Sequence, residues 1–204
     1  MTRRLPPPLV ALSPGDLAPA SVPGFLAKAR AAIGAGLRAI LVREPAMGDG
    51  ALLDLALEVR RLLPAEGWLG IHDRVHLAEA ARADAVHLGF RSLEPSEARK
   101  ILPEAIAIGL SAHAGDDETT WSAADYLFFG PVRATPSKEG LKEPVGFEEL
   151  ARAAARSPAP VWAIGGLRDV DVATCRAAGC AGIAVRAGIL GAPDPEGAYA
   201  AYSR

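Results

Sequence analysis

The sequence predicts a closed (β/α)8 barrel in a single domain spanning residues 1–204, and three observations carry that prediction. Short apolar runs alternate with amphipathic stretches along the whole chain, the rhythm of a parallel sheet whose strands are joined by helices. The runs are apolar on both faces, as strands covered on both sides require. Two of them end in small-residue turns, Val161 to Ile164 before Gly165-Gly166 and the segment Gly182-Ile-Ala-Val-Arg-Ala-Gly188. Adjacent strand ends of that kind expose backbone N–H groups and form the phosphate cup common at the last two strands of such barrels. An open doubly wound sheet is the alternative, but it does not need eight such similar units.

The strands are expected at Leu9–Leu12, Ala39–Val42, Trp68–Ile71, Ala85–Leu88, Ala105–Leu110, Tyr126–Phe129, Val161–Ile164 and from Gly182 onward. Phe25, Ala29, Ala32 and Ile33 recur at helical spacing, and the glycines Gly34 and Gly36 should stop that helix. Leu52, Leu55, Val59 and Leu62 trace one face of the next, closed by Pro64. Asp73 is read as the cap of a helix carrying Val75 and Ala78. Later helices are entered through Glu94-Pro95-Ser96, run from about Asp117 to Ala123, carry Phe147, Leu150, Ala151 and Ala154, open at Asp169, and close the chain near Glu196 to Tyr202.

The composition sets bounds. At 204 residues the chain supports one well-cored domain, and a formal net charge of −2 implies no nucleic-acid partner. The Met-Thr-Arg-Arg start has no apolar leader and no later run is long enough to span a bilayer, so no membrane association and a cytoplasmic protein are expected. Cys175 and Cys180 lack the companions of a zinc site and are read as reduced, structural thiols. There is no asparagine or glutamine, arginine outnumbers lysine, and proline reaches 17. Loss of the thermolabile amides with proline-rich loops is the pattern of high working temperature, and mutational bias toward Ala, Gly, Arg and Pro produces the same pattern. A heat-resistant protein is expected.

In a barrel of this kind the working residues stand at the carboxyl ends of strands. Collecting polar groups there gives Arg43, His72 with Asp73, His87, Ser111 with His113, Lys138 and Arg186. His113 is flanked by small residues that should leave its ring accessible; it can serve as an acid/base or cap the next helix. Arg43 is a permanently charged fork suited to a phosphate or carboxylate, unless Glu44 or Asp73 pairs with it. His72 and His87 can line the site or pack within the barrel top. Lys138, among Thr135, Pro136, Ser137 and Gly140, belongs either to a lid over a phosphate or to a solvated loop. Arg186 stands where strand eight meets its turn and either closes on the phosphate or points outward.

These motifs, in order, resemble the family of thiamin phosphate synthase and its relative the thiazole tautomerase, TenI. Val42-Arg43-Glu44, His72-Asp73-Arg74-Val75, Val86-His87-Leu88-Gly89, Gly130-Pro131, Thr135-Pro136-Ser137-Lys138, Ala163 to Leu167 and Gly182 to Val185 carry the likeness, which covers nearly the whole chain. In the synthase, the resemblance implies Mg²⁺ held by two aspartates. Here Asp73 is kept, but the second position reads Gly89-Phe90-Arg91-Ser92-Leu93, the diphosphate-binding lysine is Pro45, and the asparagine is His72. The tautomerase branch resembles the chain at Gly89-Phe90-Arg91-Ser92 and at Ser111-Ala112-His113, whereas Gly130-Pro131 is synthase-like and Pro45 and Arg186 match neither branch.

The resemblance therefore implies a thiazole tautomerase, an isomerase acting on a phosphorylated thiazole with His113 as acid/base and neither metal nor cofactor. Arg43, His72, Ser111, Thr135 and Lys138 would bind substrate, and Gly165, Gly166, Ala187 and Gly188 its phosphate; Arg186, at a position the family leaves uncharged, is expected to join them at the phosphate on its place at the end of strand eight. The alternatives are a Mg²⁺-dependent thiamin phosphate synthase and a non-catalytic barrel binding thiamin precursors. A homo-oligomer is expected, since barrels of this kind commonly pair.

Overall fold

In a computed structural model, the structure of the protein is described for residues 3–135 and 143–204. Eight parallel strands, β1 (Leu9–Leu12), β2 (Ala39–Val42), β3 (Trp68–His72), β4 (Ala85–Leu88), β5 (Ala107–Ala112), β6 (Tyr126–Phe129), β7 (Val161–Ile164) and β8 (Gly182–Val185), pair in sequence order. β8 returns to β1 with Leu9 opposite Ile183, so the sheet closes into the expected (β/α)8 barrel. Around it lie α1 (Val22–Ala35), α2 (Asp49–Leu62), α3 (Pro95–Ile101), α4 (Gly146–Arg156), α5 (Val172–Ala177) and α6 (Pro195–Tyr202).

Strand alternation divides the core in two. Ala11, Ile40, Val42, Ile71, Val86, Ile108 and Leu127 face the helices, and Val10, Leu12, Ala39, Leu41, Trp68, Tyr126, Phe128, Trp162 and Ala184 fill the barrel. The interior is packed large against small. A Cβ on Gly109 would lie 2.1 Å from the Tyr126 ring, and one on Gly70 2.5 Å from Trp68. The indoles of Trp68 and Trp162 donate to the carbonyls of Arg4 and Pro7, at 3.1 and 3.0 Å, which fastens the N-terminal segment across the barrel floor.

Four expectations need correction. α1 runs through Gly34 to Ala35 and ends at Gly36, whose φ of 125° is the one that demands glycine. Asp73 caps nothing: it sits at φ 68°, and only a 3-10 turn, Val75–Leu77, follows. The segment Glu118–Ala123 is likewise 3-10, entered through Asp117, whose carboxylate accepts the amide of Thr119. β5 begins and ends two residues later than expected, which brings Ser111 into the strand. Among the described residues no helix is long and apolar enough to cross a membrane.

Candidate active site

The inward phase of each strand, continued one step past its end, delivers the polar residues of the barrel mouth. Ala39 and Leu41 point inward, so Arg43 follows; Ala184 points inward, so Arg186 follows. His72, His87, Ser111 and His113 lie in the same phase of β3, β4 and β5.

Arg43 is placed by its neighbours. Its amide donates to the buried Ser13 hydroxyl at 2.7 Å. Glu44, 4% exposed, accepts the amides of Gly15 and Leu17 at 2.9 and 2.8 Å, pinning the loop after β1 over the mouth. Gly15, at φ 95°, passes so close that a Cβ there would stand 3.0 Å from Nη1 of Arg43 and 3.8 Å from Nη1 of Arg186. The two guanidiniums thus share one side of the mouth. Burial, then the charge of Arg186, lowers the pKa of Arg43 against the opposing pull of Glu44. Neither Asp73 nor Glu44 pairs with Arg43, because the Glu44 carboxylate is taken by backbone amides.

Below them lie neutral imidazoles. Burial first, and the nearby charge of Arg43, push the pKa of His72 down to about 4. Its ring centroid is 6.4 Å from that of His87. His87 is fully enclosed, shares a hydrogen bond of 2.9 Å between Nε2 and Oγ of Ser111, and lies 4.2 Å from the Phe128 ring. Its Nδ1 has no partner among the described residues, and burial holds its pKa well below the usual histidine range.

His113 departs from expectation: it is 7% exposed rather than open. The carboxylate of Asp116 accepts the His113 amide at 2.8 Å and lies 3.2 Å from ring Nδ1, so the turn after β5 folds back over the imidazole. His76 is exposed and lies 2.8 Å from Asp49.

The phosphate turns are built by close packing. Gly165 and Gly166 adopt φ of 99° and 64°, and added Cβ atoms would meet Pro131 at 2.6 Å and the Ala134 carbonyl at 2.4 Å. The amides of Val132 and Arg133 donate to the carbonyls of Ile164 and Gly165, locking the loop after β6 onto the end of β7. Arg133 then forks onto buried Asp171 at 2.9 and 2.7 Å, and the Arg168 amide donates to the same carboxylate. Tyr202 reaches under the second turn to donate to the Leu167 carbonyl at 2.9 Å, and only glycine at 188 leaves it room. Outside the strands, the amides of Gly166, Leu167, Ala187 and Gly188 donate to no backbone carbonyl among the described residues. Ala187 is exposed and Thr135 half-buried; Lys138 lies outside the described residues.

The donor set does not fit a two-carboxylate Mg²⁺ site. The Asp73 carboxylate lies 3.3 Å from Arg74, which also contacts Asp49 and the Pro45 carbonyl. The position that should bring a second carboxylate carries exposed Arg91, stacked 5.2 Å over the Phe90 ring. No three His, Cys, Asp or Glu side chains among the described residues gather into a possible metal site.

A cavity of about 380 Å³ opens at the opposite end of the barrel, between Pro8, Cys175, Cys180 and Tyr199, and none of the strand-end residues reaches it. Burial raises the two thiols there to about 11 and about 12, so they stay protonated. Sequence reasoning missed the positioning residues Ser13, Gly15, Glu44 and Asp116; Ser-Pro-Gly directly after β1 was the available signal for the first two.

Residues 19–189 match the family model described as thiamine monophosphate synthase. The chain is 40% identical over 177 residues to the thiamine-phosphate synthase of Anaeromyxobacter dehalogenans, covering 86% of this chain and 80% of that one. It is 35% identical over 175 residues to that of Chlorobium phaeobacteroides, covering 84% and 85%. The thiamine phosphate pyrophosphorylase structure from Pyrococcus furiosus superimposes with a TM-score of 0.82 at 26% identity, over 96% of this chain and 93% of that one. These relatives are synthases, which overturns the expected tautomerase branch and its isomerase chemistry, and with them the acid/base role given to His113. The Gly-Phe-Arg-Ser and Ser-Ala-His stretches were short resemblances outweighed by identity along the whole barrel.

Proposed function

Because the chain belongs to the thiamine monophosphate synthase family, we propose that it is a transferase that joins a pyrimidine, carried as its diphosphate, to a thiazole phosphate. The observation that carries this reading is identity of 35–40% to synthases over more than four fifths of the chain. The mouth of the barrel supports it chemically.

In this reading the bond between the pyrimidine methylene and the diphosphate oxygen breaks, the electron pair leaves with the diphosphate, and the thiazole nitrogen supplies the new bond. The transition state therefore places cationic character on the pyrimidine methylene and growing negative charge on the leaving group. Arg43 meets that charge at the end of β2. The amides of Gly165, Gly166, Ala187 and Gly188 hold the monophosphate of the thiazole, with Thr135 alongside. His72, kept neutral by burial and by Arg43, offers hydrogen bonds to the pyrimidine without adding charge, and Ser111, bonded to His87, does the same deeper in the mouth. His113, tied to Asp116, shapes the wall between the two substrates. No step is assigned to a metal, since the carboxylate pair that would hold one is not present.

Incubating the chain with both substrates and following diphosphate release together with the coupled product tests the reading. Stoichiometric appearance of both supports it; absence of both from folded protein, with and without Mg²⁺, rejects it.

A further inference from the structure

Arg186 has no counterpart in the family motifs that the rest of the chain follows, and it stands in the barrel mouth. The inward phase of β8 carries it there, and it lies beside Arg43, the two Nη1 atoms being 3.8 and 3.0 Å from the position that a Cβ on Gly15 would take. Among the described residues neither guanidinium has an ion pair or a side-chain hydrogen bond, although ten other arginines form at least one such contact. Two neighbouring cations with nothing between them raise the energy of the empty site, and an anion seated on both removes that cost. Each planar fork presents paired N–H donors that match one phosphoryl group.

We propose that Arg43 and Arg186 together form a clamp for the diphosphate group, one guanidinium per phosphoryl, which carries the charge load assigned by the resemblance to a cation held between two aspartates. The proposal rests on the transferase reading for its substrate and deepens it. It accounts for two departures at once: the position of the second metal aspartate has become Arg91, and the lysine after Arg-Glu has become Pro45, while a new cation has entered from β8 on the same side of the mouth as Arg43. The monophosphate cup, which ends at Ala187 and Gly188 next to Arg186, is made of backbone amides, so the side-chain forks are left for the group with the larger charge. Its span from β2 to β8 bridges the loop after β1, and Glu44 fixes that loop at the height where Gly15 leaves room for both forks.

Titration calorimetry of the full chain with inorganic pyrophosphate, in EDTA, tests the clamp. Binding without a divalent cation is expected, with Arg186→Ala weakening it at least tenfold and Arg186→Lys recovering part of the loss. Thermal melts of each variant confirm folding, which a half-buried strand-end position should tolerate. Binding that appears only when Mg²⁺ is added, or an Arg186→Ala variant that binds as well as the parent, overturns the clamp. So does inorganic phosphate binding as tightly as pyrophosphate with the same dependence on Arg186, which would make this a monophosphate site. The coupled-product assay keeps the two ideas apart: pyrophosphate binding without turnover leaves the clamp standing and removes the transferase, and turnover with Arg186-independent binding does the reverse.

Discussion

The carboxylate of Glu44 spans the amides of Gly15 and Leu17, so a residue of strand β2 sets the position of the loop that follows β1. That contact converts the Arg-Glu pair into two roles, with Arg43 facing the mouth and Glu44 holding the backbone against it. Glu44→Gln keeps the shape but can accept with only one of its two terminal atoms, and it leaves a buried amide facing an NH2 group. Loss of one charge-assisted bond and one desolvated donor should cost about 2 kcal/mol in urea unfolding. Pyrophosphate binding should weaken with it, because the loop no longer fixes Gly15. An unchanged urea midpoint would show that the loop is held by something other than this carboxylate.

Glycines separate by position in the same way. Gly166→Ala places a Cβ 2.4 Å from the Ala134 carbonyl at a φ of 64°, and backbone on both sides prevents an easy escape. A loss of more than about 2 kcal/mol is expected. Gly34, inside α1, has open space around its Cβ direction. Gly34→Ala should therefore stabilise by roughly 0.5–1 kcal/mol through helix propensity. Chemical denaturation of the two variants checks both signs, and equal effects would mean that helix and turn glycines are not distinguished by their surroundings.

The barrel was legible because strands buried on both faces are short apolar runs with little competing pattern, and Leu9–Leu12, Ala39–Val42, Ala85–Leu88, Tyr126–Phe129 and Val161–Ile164 fall where that pattern puts them. Helices were less legible where the connection is a 3-10 turn, as at Val75–Leu77, since three residues show no period. The strand-end residues were found by position. Their partners were not: Glu44 reaches Gly15 across 29 positions of sequence, and nothing local announces that contact. The enclosure of His113 was hidden for a similar reason, because small neighbours suggest access whereas Asp116 closes the turn over the ring. The choice of chemical branch failed because it rested on two short motifs.

His72 gives the protein a pH dependence of known sign. Its folded pKa of about 4 lies below the ordinary value of 6.5, so the unfolded chain binds the proton more readily between those limits. Above pH 6.5 the residue makes no difference; as pH falls toward 4, stability is lost, up to roughly 3 kcal/mol from this residue. His72→Asn cannot take the proton and should flatten the part of the stability curve between pH 6.5 and 4, leaving the portion due to His87, whose pKa is also depressed. Urea midpoints measured at half-unit pH steps check this, and parallel curves for parent and variant would mean that His72 is solvated enough to titrate normally.

Resistance to heat is expected from the barrel floor as well as from composition. Asp84 accepts Arg4 at 2.9 Å, Arg60 at 3.1 Å and the Leu69 amide at 2.8 Å, and Asp125 joins Arg3, Arg99 and the Ile108 amide in the same manner. Both carboxylates are largely shielded, and each ties the N-terminal segment to a helix and a strand, so these are networks rather than isolated surface pairs. Their desolvation cost falls as temperature rises, which makes them most effective when the protein is hot. A melting midpoint above the ordinary mesophile range of about 45–65 °C is expected. Asp84→Asn should lower it by about 5 °C, since two guanidiniums then lose their counter-charge at once. Calorimetric melts of parent and variant decide the matter: a midpoint within the mesophile range would assign the missing amides to mutational bias, and an unmoved midpoint in the variant would show that Asp84 adds nothing to heat resistance.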